Sequence, residues 1–218
     1  MRESVIVTVD VVLFTLLDDE LAVGLLRRAD EPFKGRLALP GGYVHQQEDT
    51  DGLAAAARVL RDKTGIEAPY LEQLYTFADG ARDPRGWSVS LAYYALVDRA
   101  TLECQAKDAF SLVPVAELPR LPFDHNRIVD KGLERVQNKA AYSTLPCFLA
   151  GTAFTLAELQ ATYENVMGQK LDKSVFRRKL AELDFVEPTG GQREGAHRPA
   201  QIYRIQPKKS RMLFDKAL

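Results

Sequence analysis

The chain has 218 residues, 46% hydrophobic and 27% charged, with a net charge of −1, an ordinary globular composition with length for one larger and one smaller domain. The N-terminus carries no basic segment leading into an apolar run, and the longest apolar stretch, residues 11–17, is far too short to span a bilayer, so neither a secretion signal nor a membrane span is expected and a cytoplasmic protein is. The charge is unevenly divided, with 12 Lys+Arg against 8 Asp+Glu in residues 151–218 and 17 against 22 before them, pointing to a C-terminal region that meets polyanions.

Residues 4–29, SVIVTVDVVLFTLLDDELAVGLLRRA, read as two strands joined at Asp18-Asp19-Glu20. Their imperfect alternation and many Val and Leu residues predict strands covered on both faces. RLALPGGYV, residues 36–44, reads as a short strand ending in a Pro-Gly-Gly turn. A helix is predicted over residues 52–64, with Leu53, Ala56, Ala57 and Leu60 as its apolar stripe and Gly65 at the C′ position. Residues 70–78 and 87–98 read as further strands, and residues 122–140 as a helix with Ile128, Leu133 and Val136 facing inward. Strands and helices in this order predict an α/β fold, a mixed sheet with helices packed against it. Cys104 and Cys147 lack a Cys or His neighbour at ligand spacing and read as reduced thiols. The histidines at 45, 125 and 197 stand apart and form no recognisable catalytic set.

Residues 142–153 break the periodicity with Pro146 and Gly151, so the domain junction is placed there, between a domain over 1–141 and another over 154–218. In the second, Thr155 and Glu158 form a capping box flanked by Phe154 and Leu159 as a hydrophobic staple. That helix runs to Met167 and ends at Gly168. A second helix starts at the N-cap Asp172 and continues through KSVFRRKLAEL. Residues 185–207 have two apolar-containing ends around a Gly-rich basic middle and read as a β-hairpin with a long loop. Helix, turn, helix and hairpin make a winged helix-turn-helix.

Residues 41–66, GGYVHQQEDTDGLAAAARVLRDKTGI, are similar to the Nudix box, a glycine loop and helix that presents carboxylates to Mg²⁺. Gly42, Glu48, Arg58, Leu60, Gly65 and Ile66 match its pattern, although nine residues rather than seven separate Glu48 from Arg58. The three helix glutamates of the pattern fall on Val59, Asp62 and Lys63. An apolar group, one shorter carboxylate and a cation cannot supply the hard oxygen ligands that Mg²⁺ demands. Metal-dependent hydrolysis is therefore not expected, and Asp62 is expected to pair with Arg58 at i−4. The loop RDPRGW, residues 82–87, offers two guanidiniums able to grip phosphates and an indole able to stack on a base; it reads equally well as an exposed loop pairing Arg82 with Asp83.

Along residues 172–183, Phe176, Leu180 and Leu183 line the face toward the preceding helix, while Ser174, Arg177 and Arg178 point the other way with Lys173 at the flank. Such a face suits a major groove, with Arg reading guanine and Lys meeting phosphate. A solvated basic face is the competing reading of the helix alone. The capping box and basic hairpin beside it favour DNA.

Taken together, LPGGYV, RVLRDKTGI, RDPRGW, LPFDHNRI, FTLAELQATYENVMG, LDKSVFRRKL and HRPAQIYRI resemble the Nudix-related transcriptional regulators of the NrtR type over essentially the whole chain. The resemblance implies a Nudix-like α/β/α sandwich with a mixed sheet and a C-terminal winged helix-turn-helix. It implies a homodimeric repressor of NAD-metabolism genes whose effector is ADP-ribose or a related nucleotide, with no metal cofactor required. The candidate effector-binding residues are Arg27, Gly41, Gly42, Tyr43, Glu48, Asp62, Lys63, Arg82, Arg85 and Trp87. Candidate DNA contacts are Thr155, Lys173, Ser174, Arg177, Arg178, Lys179, Arg193, His197 and Arg198. Two other classes compete: an ADP-ribose pyrophosphatase using Glu48 and Asp62 as an altered metal set, and a winged-helix module that binds protein.

Overall fold

The computed structural model describes residues 5–105, 110–194 and 199–218. β1 (Ile6–Leu17) and β2 (Glu20–Arg27) form a hairpin in which Leu17 pairs with Glu20. Asp18 and Asp19 take φ of 49° and 67°, the left-handed pair that a two-residue hairpin turn requires. β1 also pairs in parallel with β6 (Ser88–Leu96), which pairs antiparallel with β5 (Tyr70–Asp79). The mixed sheet is as expected and runs β3-β2-β1-β6-β5, where β3 is Leu37–Ala38. β4 (Gly41–Tyr43) pairs with β1, so Gly41 and Gly42 lie inside a strand and do not form the turn expected after residue 40.

Alternate residues of β1 serve opposite faces of the sheet. Val9, Val11 and Leu13 pack toward α1 (Gly52–Thr64), while Val12 and Phe14 join the core beneath α3 (His125–Ala140). Both faces are thus covered. α1 has the expected limits, capped by Asp51, which accepts from Ala54 N at 2.7 Å, and closed by Gly65 at φ 79°. Its buried stripe is rotated from the expected one: Ala55, Ala56, Val59 and Leu60 are buried, whereas Leu53 and Ala57 are exposed. α2 (Arg99–Gln105) and β7 (Phe110–Pro114) were not anticipated. β7 adds to β2, and the absence of a side chain at Gly24 leaves room for the Phe110 ring. In α3, Ile128 and Val136 are fully buried and Leu133 partly so, as expected.

The junction is itself packed. α4 (Cys147–Ala150) interrupts it, Thr144 N donates to Met212 O at 3.0 Å, and Phe214 N donates to Tyr142 O at 2.7 Å. Leu145 and Leu149 belong to the larger core and Cys147 to the smaller. Beyond it come β8 (Phe154–Thr155), α5 (Leu156–Met167), α6 (Lys173–Leu183), β9 (Val186–Arg193) and β10 (Ala200–Ile205), the strands ordered β8-β10-β9. The capping box at Thr155 and the left-handed Gly168 end are both present. Gly190 and Gly191 lie within β9 instead of the loop where they were expected. Val166 of α5 shares a core with Val136 and Ala140 of α3, which ties the winged helix to the sandwich. Among the described residues no helix is long and apolar enough to cross a membrane.

Candidate effector cavity and nucleic-acid interface

The end of β2, strands β3 and β4 and the C-terminal turn of α1 enclose a cavity of about 400 Å³. Of the residues expected there, Arg27, Gly41, Gly42, Tyr43, Lys63, Arg82 and Arg85 line it. The two glycines are there for space. A side chain at Gly41 would collide with the Asp10 carboxylate, and one at Gly42 would lie 3.0 Å from Val59 Cγ2.

Asp10 forms the floor. Ser90 Oγ donates to Asp10 Oδ2 at 2.6 Å, and Arg82 Nη2 lies 3.6 Å from the same oxygen. Leu39 N donates to His125 Nδ1 at 3.1 Å, which leaves the ring proton on Nε2, 3.5 Å from Asp10 Oδ1. Burial pushes the Asp10 pKa up, but His125, Ser90 and Arg82 outweigh burial and hold it below the usual carboxylate range. Asp10 and His125 were missed in the sequence. A lone carboxylate within an apolar strand was the available signal for Asp10, since a buried charge needs partners. His125, expected to stand apart from any constellation, is brought to Asp10 only by the fold.

The loop arginines differ from each other. Arg82 is buried and forks onto Asp124, with Nη2–Oδ1 2.8 Å and Nε–Oδ2 3.1 Å, and also donates to Ser88. Its guanidinium is engaged within the protein while it lines the cavity, and Asp124 rather than the alternative Asp83 is its hydrogen-bond partner. Asp83 binds Arg85 instead, at 2.6 Å from Nη2 and 3.0 Å from Nε. Arg85 also donates to the Tyr43 hydroxyl and lies over the Tyr43 ring. Arg28, not anticipated, lies 4.8 Å from the centre of the Phe123 ring, which itself packs edge-on against Phe33. Burial and the proximity of Arg85 lower the Arg28 pKa. Arg27 reaches the Gly35 carbonyl at 2.6 Å.

Glu48, Asp62 and Trp87 do not line the cavity. Trp87 is half exposed, with Gly80 beside its indole. Glu48 lies against His45, and its Oε2 is 3.9 Å from Arg58 Nε. Asp62 lies 3.9 Å from Arg58 and 3.5 Å from Arg61. The main partner of Arg58 is Asp49, at 2.7 and 2.8 Å, with the expected Asp62 pair present as the looser contact. That fork lowers the Asp49 pKa to about 2. Of the three box positions, Val59 is buried in the core, Asp62 stands between guanidiniums and only Lys63 reaches the cavity. Among the described residues no three His, Cys, Asp or Glu side chains are grouped to hold a metal ion.

On the winged helix, Asp172 caps α6 by accepting from Ser174 N at 2.9 Å and Val175 N at 2.8 Å. Phe176 and Leu180 are buried, with Phe176 packed edge-on against Tyr163. Lys173, Ser174, Arg177 and Arg178 are exposed together, and Arg178 lies 3.8 Å from Glu182. Three other candidate contacts have partners within the protein. Thr155 is buried and its hydroxyl caps α5. Lys179 is turned away and donates to Ala217 O at 2.6 Å. Arg193 is paired with Glu158, itself part of the capping box. His197 and Arg198 lie outside the described residues.

Residues 7–133 match the NUDIX domain and residues 146–205 the NrtR DNA-binding winged helix domain. The chain is 38% identical over 207 residues to the ADPR responsive transcriptional repressor NtrR of Acinetobacter baylyi, covering 93% of this chain and 82% of that protein. The crystal structure of Shewanella oneidensis NrtR complexed with a 27mer DNA superposes with a TM-score of 0.91 at 36% identity, over 97% of this chain and 99% of the other. The NUDIX domain of the same Shewanella protein complexed with ADP ribose is 35% identical, with a TM-score of 0.55, over 62% of this chain and 90% of that one.

Proposed function

This chain belongs to the NrtR family, a NUDIX domain joined to a DNA-binding winged helix, and from that premise we propose that it is a transcriptional repressor released from operator DNA by ADP-ribose. The observation that carries the reading is the pairing of a cation-lined cavity in the NUDIX half with an α6 face of Lys173, Ser174, Arg177 and Arg178 left open to solvent. The first offers charge to a diphosphate and the second offers a groove-reading surface. As a homodimer the protein presents two such helices to half-sites roughly 34–36 Å apart. NAD-metabolism genes are the regulon that the family resemblance implies. Effector binding releases DNA only if ADP-ribose prefers one arrangement of the two halves over the other.

The NUDIX half acts as a receptor without hydrolysis. An altered metal set built from Glu48 and Asp62 would have to displace Arg58, whose guanidinium lies 3.9 Å from each of them. Footprinting the promoter beside its own gene, with and without ADP-ribose, tests the proposal. Protection that ADP-ribose leaves untouched removes the effector assignment; absence of any protected duplex removes the repressor assignment. Turnover of ADP-ribose with Mg²⁺ at ordinary enzyme rates would restore the pyrophosphatase reading.

A further inference from the structure

We infer that Lys63, sharing the cavity wall with Arg28 and Arg85, supplies as a fixed side chain the positive charge that a divalent ion would otherwise bring to a bound diphosphate, so that the site takes its ligand without metal. The inference rests on reading the cavity as a nucleotide-diphosphate site.

The charge inventory supports it. Lys63 stands at the third carboxylate position of the box-like helix and is the residue of that trio that lines the cavity. The cavity wall also carries Asp10, Asp30, Glu31 and Asp83; Asp10 accepts from Ser90 and faces Arg82, and Asp83 is held by Arg85 at 2.6 Å, while Asp49 and Asp62, outside the wall, face Arg58 and Arg61. Among the described residues none forms an ion pair with the Lys63 ammonium. Arg28 makes its hydrogen bonds to the carbonyls of Pro32, at 2.8 Å, and Asp30, at 3.4 Å, so its charge is not neutralised by them. Arg28 and Arg85 both approach the Phe123 ring, at 4.8 and 6.0 Å, and their mutual repulsion helps lower the Arg28 pKa. A dianion seated among these three cations relieves that repulsion and gives Lys63 a partner. An ammonium with three rotatable donors is a phosphate-binding point charge, but it cannot polarise and deprotonate water as a metal ion does. Binding is kept and cleavage is not.

Calorimetric titration of the full chain with ADP-ribose, and separately with inorganic pyrophosphate, each in EDTA and in Mg²⁺, tests this. The expected result is an affinity for both ligands that Mg²⁺ does not raise. Lys63→Ala lowers it by roughly 10- to 100-fold, the size of one charge-assisted contact. Lys63→Arg retains most of it, and Arg99→Ala, which removes an exposed charge paired with Glu103 outside the cavity, leaves it unchanged. Pyrophosphate binding with this Lys63 dependence but no ADP-ribose binding would sink the effector assignment and leave the inference standing. Parental affinity in Lys63→Ala, binding of either ligand that requires Mg²⁺, or binding of neither ligand would overturn it.

Discussion

The NUDIX site and the α6 face use their arginines in opposite ways. In the NUDIX half, Arg82 forks onto Asp124, Arg85 onto Asp83 and Arg58 onto Asp49, so each guanidinium is fixed before any ligand arrives. On α6, Arg177 and Arg178 are exposed, and the ion pair on that face, Arg178 with Glu182, is a loose 3.8 Å. Fixed partners give the cavity a defined shape for one small molecule. Open side chains leave the helix free to match phosphates and base edges and to exchange counterions for them. A substitution that damages the first should therefore lower stability, and one that damages the second should lower affinity alone.

The largest effect is expected from Arg82→Ala, which strands two buried carboxylates. Unfolding in denaturant should show a loss of about 3–5 kcal/mol, the cost of leaving a buried charge unpaired. A parental midpoint would mean that the cluster around Asp10 is not structural. Next comes Arg178→Ala. Operator affinity in a gel-shift titration should fall by roughly 1–3 kcal/mol and specificity should relax at one base pair, with little change in melting temperature. A matching loss of stability would erase the contrast between the halves. Thr155→Ala lies between the two classes. Removing this N-cap should cost about 1 kcal/mol in unfolding, and restoration by Ser would confirm the cap as the cause.

The smallest and most local effect concerns Asp49, held at about 2 by Arg58. A carboxylate whose folded pKa is depressed contributes stability above its unfolded value, roughly 4, and loses it as pH falls toward the folded value. Acid unfolding of the parent should therefore include a component between about pH 4 and 2 that Asp49→Asn lacks. Superimposable acid limbs for the two proteins would show that the fork contributes nothing.

What the sequence disclosed was mostly local. The capping box at Thr155, the Asp172 cap and the Gly65 and Gly168 helix ends each depend on residues within a few positions, and all four are present. The rotated stripe of α1 was not legible, because an alanine-rich helix has two possible apolar faces and the sheet beneath selects one. β7 escaped because its five residues are all partly buried, without alternation, and pair with β2 more than eighty positions earlier. The site followed the same rule. Glycines and cations were recognisable by type and spacing, but which carboxylate holds which arginine depends on pairs such as Arg82 with Asp124, forty-two residues apart. The partners of Thr155, Lys179 and Arg193 inside the protein were hidden for that reason.

α3 begins at the floor of the cavity, where His125 touches Asp10, and in its later turns shares a core with α5 through Val136 and Ala140. Sixteen residues of helix make a rod of roughly 24 Å. A rod this short does not bend appreciably. A sideways step of about 1 Å at its cavity end, pivoting about the other, becomes a tilt of roughly 2°, delivered to the helix on which the DNA-reading half is mounted.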